Sequence, residues 1–242
     1  YNEYRPVGYW ANEEEVAYIH NDTEIVARAL RTKLDNGLDR MTRASDALSD
    51  FIESVGGRDT MREIFPVVTQ ECDDNIRKAY KGGYVYLCDD FKDKFLQNVT
   101  SYDVNSLFPS VMRYERLPYD IPIEFEGKYT PDKAYPLYIQ YMTCNFELKE
   151  GKLPTVQLKN SGRFCETEYL KSSEGEAVYL ALTSVDYEIF IERYDITDVE
   201  YIGGYKFKAM RGIFDKYIDK WIAVKISNND NPALRQNAKD ML

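Results

Sequence analysis

Residues 101–112 read Ser-Tyr-Asp-Val-Asn-Ser-Leu-Phe-Pro-Ser-Val-Met, and this run constrains the chain more than any other stretch of it. An apolar segment ends at Tyr102, a single carboxylate follows at Asp103, and a turn leads toward a helix, with the Phe108 ring five positions later. A carboxylate at the edge of a strand is suited to hold a metal ion. An isolated Asp at such a turn more commonly caps the following helix. Here Asp, Ser, Leu, an aromatic residue and Pro stand in fixed order, which favours the first reading.

Local spacing gives the elements around the run. Asn12 with Glu15 three residues on forms a capping-box-like start, and Val16, Ile19, Val26 and Leu30 continue at helical spacing to about Leu34. Residues 36–63 read as further helix and connection, broken at Gly56-Gly57. Tyr84-Val85-Tyr86-Leu87 and the segment ending at Tyr102 read as strands separated by the charged stretch 89–94, and together they would carry Asp103 to a sheet edge. From about Leu117 to Lys208 the texture shifts to short strands and turns, such as 137–142 and 153–158, with one helix after Ser184. This stretch reads as an inserted subdomain. Helical texture returns at 212–226, breaks at Ser227-Asn228-Asn229-Asp230, and restarts with Asn231 as N-cap and Pro232 at the first helical position. No internal repeat or low-complexity tract interrupts the chain.

A chain of 242 residues with 44% hydrophobic content can bury a sizeable core in one large domain or two smaller ones. It carries neither an 18-residue apolar run nor a signal-peptide-like segment, so it reads as unexported and without a membrane partner. Cys72, Cys88, Cys144 and Cys165 are scattered with no C-x-x-C pair, which suits a reducing compartment and argues against zinc. With one histidine, His20, a histidine-based metal site or a triad would have to be built around that residue alone, which argues against either. The formal charge of −10 is not that of a basic nucleic-acid binder. Locally the balance reverses, because 205–225 holds six cations (Lys206, Lys208, Arg211, Lys216, Lys220, Lys225) against Asp215 and Asp219. A phosphate backbone responds to such a local field, although a charge run by itself is usually a solvated face. The chain opens on Tyr1 without an initiator Met and closes in helix-like Ala-Lys-Asp-Met-Leu, as a piece of a longer protein would.

The run at 101–112 resembles the first palm motif of family B DNA polymerases, D-x-x-S-L-Y-P, and its Asp-Val-Asn-Ser-Leu form is most similar to the protein-primed polymerases of small tailed phages. Three further elements stand in the family's order. Tyr18-Ile19-His20-Asn21-Asp22 resembles the Y-x-x-x-D element of the 3′–5′ exonuclease. Tyr80-Lys81-Gly82-Gly83 resembles the Y-x-G-G element between the exonuclease and polymerase parts. Lys239 matches the helical Lys of K-x-x-x-N-S-x-Y-G. The likeness also runs through Arg5-Pro6-Val7-Gly8, Gly37-Leu38-Asp39-Arg40-Met41-Thr42, Phe146-Glu147-Leu148-Lys149-Glu150-Gly151, Tyr169-Leu170-Lys171-Ser172-Ser173 and Lys206-Phe207-Lys208-Ala209.

The resemblance implies an α+β fold. Residues 1–45 would be the C-terminal part of an RNase H-like exonuclease domain, 46–114 the first part of a palm, 115–211 an inserted terminal-protein-binding subdomain, and 212–242 the start of the palm and fingers. It implies a two-metal site using Mg²⁺ and deoxynucleoside triphosphates, with Asp103 and the main-chain carbonyl of Val104 as ligands. Asp22 would bind the exonuclease metal while Tyr18, one helical turn away, orients the attacking water. Phe108, which replaces the family's usual Tyr, would keep the steric wall under the sugar without the hydroxyl, and Leu107 would lie beside the nucleotide with it. Lys225, Arg235 and Lys239 would face the triphosphate, the last two sharing one helix face. Tyr80, Gly82, Gly83 and Ser106 would contact DNA, since paired glycines let backbone amides approach phosphates.

The implied partners are template and primer DNA and a terminal protein. The implied state is a monomeric polymerase in the cytoplasm of a phage-infected bacterium. Other family carboxylates would lie before Tyr1, or after Leu242 in a D-T-D motif, so the chain alone is expected not to extend primers. The alternative is a non-catalytic split-gene product that binds DNA or terminal protein.

Overall fold

The computed structural model describes residues 5–157 and 169–242. In chain order the elements are α1 (Glu13–Asp35), α2 (Arg43–Ser54), α3 (Arg58–Ile64), α4 (Gln70–Arg77), α5 (Leu107–Tyr114), β1 (Leu117–Glu126), β2 (Leu137–Leu148), β3 (Val178–Thr183), α6 (Ser184–Arg193), β4 (Tyr194–Met210), α7 (Asp215–Ser227) and α8 (Pro232–Met241), with a single 3₁₀ turn at Asp89–Phe91. The α+β class expected from the sequence is the one observed. Two compact units form, one from Tyr1–Val55 with Phe214–Leu242 and one from Gly56–Ile213.

The first unit is helical. Helix α1 begins as its sequence predicts: Asn12 Oδ1 accepts the Glu15 N–H at 2.9 Å and Glu15 Oε2 accepts the Asn12 N–H at 3.0 Å, so two otherwise orphaned donors are satisfied. Its apolar stripe of Val16, Ile19, Val26 and Leu30 stays largely exposed. The buried Asp46 on α2 accepts the Arg40 N–H at 2.8 Å and lies 2.7 Å from Lys33 Nζ, which fastens the end of α1 and the following turn to α2. Burial alone would raise the Asp46 pKa. The bonds from Lys33 and the Arg40 N–H outweigh it and hold the carboxyl below its ordinary value.

Phe51 of α2 stacks on Phe214 with centroids 4.6 Å apart and meets Tyr217 of α7 edge-on at 6.0 Å. Ile218, Trp221, Ala238 and Met241 complete the buried seam between α7 and α8. Helix α8 starts where predicted, with Asn231 Oδ1 accepting the Leu234 N–H and Pro232 in the first turn.

The second unit is built on an antiparallel sheet of order β1-β4-β2-β3. The long β4 pairs with both β1 and β2, and its Gly203 and Gly204 lie where the ladder is tightest. A Cβ on Gly204 would fall 1.8 Å from Ile139 O, and one on Gly203, where φ is +149°, would fall 2.4 Å from Phe125 O. Only glycine fits there. One face of the sheet packs Met142, Cys144, Phe146, Leu180 and Leu182 against Phe190 of α6 and against Tyr194. The N-cap of α6 is Thr183, one residue before the predicted start, with Oγ1 accepting the Asp186 N–H at 3.2 Å. Burial pushes the Cys144 thiol up to about 11, so it behaves as a small apolar group. Cys72 and Cys88 are also free thiols, whereas Cys165 lies outside the described residues.

Two strand expectations fail. Residues 84–87 and the segment up to Tyr102 form no strand. Instead of a ladder, the Tyr84 hydroxyl donates to Pro154 O at 3.1 Å and the Val85 N–H donates to the Tyr169 hydroxyl at 3.2 Å. The Tyr84 and Tyr169 rings pack 4.8 Å apart, so side-chain contacts hold this extended segment. The predicted strand at 153–158 is reduced to one bridge, Val156 with Leu170, and Leu158 is outside the described residues. No helix among the described residues is long and apolar enough to cross a membrane.

Candidate functional site

The 56–213 unit contains two of the elements singled out in the sequence. Asp103 does not end a strand, as expected, but sits exposed in irregular chain ahead of α5. Nor does it cap that helix. The N-cap is Ser106, held in the left-handed region at φ 54°, ψ 48°. This conformation is unusual for a serine, and it turns the chain sharply between Asp103 and Leu107. Val104, Leu107 and Phe108 are exposed, the Phe108 ring at 76%, while Pro109 beside it is buried. A ring so exposed contributes little to the core of this unit. The segment thus presents a carboxylate, a main-chain carbonyl and an aromatic face within six residues.

Tyr80 follows α4 and is 71% exposed. It lines a cleft of about 390 Å³ with Arg77, Lys78, Lys81 and the Tyr179–Leu182 stretch of the edge strand β3. Arg77 and Lys78 did not figure in the sequence-based expectations. The signal was a pair of cations on the last turn before the Y-x-G-G element. Gly82 lines a second cleft, of about 300 Å³, with Lys81, Tyr84, Tyr169 and Arg193. Neither Gly82 nor Gly83 has a positive φ, and a Cβ on either would meet nothing within 4 Å. The fold of this unit therefore does not itself require glycine at these two positions. A ligand approaching the backbone would.

The remaining candidates fall in the helical unit. Tyr18 and Asp22 lie on α1 at i and i+4, both exposed, and Tyr18 lines a cleft of about 230 Å³ with Arg5, Tyr9 and Glu15. The Tyr9 hydroxyl donates to Glu15 at 2.8 Å, and Arg5 is ion-paired to the same carboxylate. Lys225 is near the end of α7 and half-buried, while Arg235 and Lys239 share a face of α8. Arg235 Nε donates to Asn229 Oδ1 at 3.3 Å, which steadies the start of that helix.

Of the six cations counted between 205 and 225, at least three are already engaged in ion pairs. Lys206 pairs with Asp132 at 2.8 Å, Lys208 with Asp120 at 2.7 Å, and Lys220 with Asp50. The hydrogen bond from Lys208 holds Asp120 below the usual carboxylate range, and Lys206 does the same for Asp132. Lys206 and Lys208 lie on β4, not on a solvated helix face, so the field expected to meet a phosphate backbone is smaller than the sequence count.

Among the described residues no group of three or more His, Cys, Asp or Glu side chains is gathered to hold a metal ion. Asp103 and the Val104 carbonyl fit part of a magnesium ion's oxygen shell and do not close one.

A family model described as DNA polymerase type B, organellar and viral, matches residues 1–242. The DNA polymerase of Bacillus phage phi29 is 47% identical over 242 residues, which is 100% of this chain and 42% of that protein. That of Streptococcus phage Cp-1 is 31% identical over 237 residues, covering 95% of this chain and 41% of the relative. Two solved structures of phi29 DNA polymerase are similar at 46% identity. The complex with primer-template DNA and incoming nucleotide gives a TM-score of 0.87 over 100% of this chain and 42% of that one. The complex with single-stranded DNA gives 0.90 over 100% and 41%. The chain thus spans about two fifths of the length of the curated relatives it matches. With a match along its whole length, the chain belongs to the organellar and viral type B DNA polymerases.

Proposed function

We propose that the chain works as a segment of a protein-primed, DNA-directed DNA polymerase that copies a linear phage or plasmid genome inside a bacterial host. The observation that carries this is the exposed Asp103 at a sharp turn into α5, within Asp-Val-Asn-Ser-Leu-Phe-Pro, in a chain of the type B family. Asp103 and the Val104 carbonyl would supply oxygen ligands to Mg²⁺. When bound, a metal pair lowers the pKa of the attacking hydroxyl and neutralises the triphosphate. Phe108 and Leu107 form the floor under the incoming deoxynucleotide. Lys225, Arg235 and Lys239 hold triphosphate oxygens as fixed cations. Tyr80, Gly82, Gly83 and Ser106 meet the DNA backbone, the glycines by close amide approach and Tyr80 by its exposed ring.

On α1, Asp22 would hold a separate, proofreading metal, and Tyr18 would orient the water directed at the terminal phosphodiester. Residues 115–211 dock the terminal protein whose hydroxyl primes synthesis. The polymerase acts as a monomer. The 242-residue chain alone does not extend primers, because one polymerase carboxylate cannot position two ions.

The test is Asp103→Asn in the full-length polymerase. Primer extension and terminal-protein-primed initiation should both disappear while binding to primer-template DNA persists. Unchanged turnover in that variant would remove Asp103 from the active site.

A further inference from the structure

One face of α2 carries Arg43, Asp46 and Asp50 at i, i+3 and i+7, and each is committed to a different partner helix. Asp46 takes Lys33 of α1, and Asp50 takes Lys220 and the Trp221 indole of α7, the latter at 2.6 Å. Arg43 is ion-paired to Asp240 of α8. Asp240 directly follows Lys239, and its other oxygen accepts from Gln236 one turn earlier at 2.8 Å. Its side chain is 18% exposed and is turned toward α2, whereas that of Arg43 is 62% exposed.

A carboxylate next to a triphosphate-binding lysine is an electrostatic problem. Adjacent side chains lie within roughly a Debye length, about 8 Å at physiological salt, so an uncompensated Asp240 would weaken the local field of Lys239 and repel an incoming polyanion. Arg43 supplies the compensating charge from a separate helix. Its guanidinium also fixes the orientation of the Asp240 side chain, which a lysine's point charge would do less well.

We infer that Arg43 is a positioning residue for nucleotide binding, which neutralises Asp240 and so leaves the positive charge of Lys239 undiminished for the triphosphate. The inference rests on the reading of Lys239 as a triphosphate contact. Its function is electrostatic rather than simply to brace α8. That distinction has a signed consequence: removing Arg43 should be harmful, and removing Asp240 as well should undo the harm.

The experiment is steady-state incorporation of a single deoxynucleotide by the full-length polymerase, comparing the parent with Arg43→Met, Asp240→Asn, the double variant and Lys239→Ala. For a partly exposed pair, Arg43→Met should raise the nucleotide KM about 3- to 5-fold with kcat nearly unchanged. The double variant should return to within about 1.5-fold of the parent, a coupling that a merely structural brace would not give. The Arg43→Met defect should also shrink as salt is raised. If Lys239→Ala raises KM and Arg43→Met does not, or if the double variant is no better than Arg43→Met, the inference is overturned and the nucleotide-binding role of Lys239 stands. If Lys239→Ala leaves KM unchanged, the role of Lys239 falls and the inference with it. Primer-template affinity, measured alongside, identifies any variant whose change comes from misfolding, and in that case Arg43→Gln, which also removes the charge, replaces Arg43→Met in the same comparison.

Discussion

The buried Tyr194 hydroxyl donates to the Leu170 carbonyl at 2.9 Å. The same oxygen accepts the N–H groups of Thr155 at 2.7 Å and Val156 at 3.2 Å, so one side chain satisfies three backbone groups of two chain segments. Tyr194→Phe keeps the ring packed on Phe146 and Phe190 and strands those groups. Each buried unpaired group costs about 1–3 kcal/mol, and partial rehydration at this edge keeps the total to about 2–4 kcal/mol. Denaturant unfolding of the polymerase, followed by a probe in the 56–213 unit, should show that loss. A shift under about 0.5 kcal/mol would mean that water replaces the hydroxyl.

The glycines divide into two kinds, and this separates folding from function. Gly204→Ala forces a Cβ into Ile139 O, so β2 and β4 must part, and the expected result is insoluble protein or a loss of about 4 kcal/mol or more. Gly82→Ala meets nothing, so stability should stay within about 0.5 kcal/mol. If Gly82 lets DNA phosphates reach the backbone, template affinity should nonetheless fall several-fold. Unaltered DNA binding by a stable Gly82→Ala enzyme would make the pair an ordinary turn.

Helix starts were legible in the sequence because cap chemistry is local. Asn12 with Glu15, and Asn231 with Pro232, each contain their own partner within three residues. Strands were less so. Residues 84–87 alternate and are aromatic, yet whether a ladder forms depends on a strand elsewhere, and here Pro154 and Tyr169 take the available bonds. The 17-residue β4 was not legible as one strand within the short strands and turns read from 117 to 208, and its Gly203-Gly204 pair marks the closest approach of three strands. The order of the chemical motifs could be read along the chain. The ion pairs Lys206–Asp132 and Lys208–Asp120 could not, since they join residues 74 and 88 positions apart. For that reason the basic stretch looked more available to phosphate than it is.

Proofreading gives the next prediction. Tyr18 and Asp22 share the exposed face of α1, which places a hydroxyl and a carboxylate about one turn apart. In the full-length polymerase, Asp22→Ala should reduce degradation of single-stranded DNA by at least about 100-fold, the scale on which positioned groups contribute, with little change in nucleotide incorporation. Tyr18→Phe should slow degradation less, because the ring still orders the helix face. Equal exonuclease rates in the parent and in Asp22→Ala would reduce the pair to a helical coincidence.

A role for Phe108 in sugar selection can be tested because the ring is exposed. The ring stands at the start of α5, one residue before the buried Pro109, and is free to act as a wall instead of filling the core. If it excludes a 2′-hydroxyl by bulk, Phe108→Tyr should leave the preference for deoxynucleotides nearly intact, while Phe108→Val should open the space. Because the ring is exposed, Phe108→Val should cost less than about 1 kcal/mol of stability, so any change in selectivity is not a folding defect. Loss of discrimination worth roughly 2–4 kcal/mol corresponds to about 30- to 1,000-fold easier ribonucleotide entry. Incorporation efficiencies of matched ribo- and deoxynucleotides, measured for the parent and both variants, decide the matter. Should Phe108→Val discriminate as well as the parent, size at this position is not the gate, and another side chain sets the sugar preference.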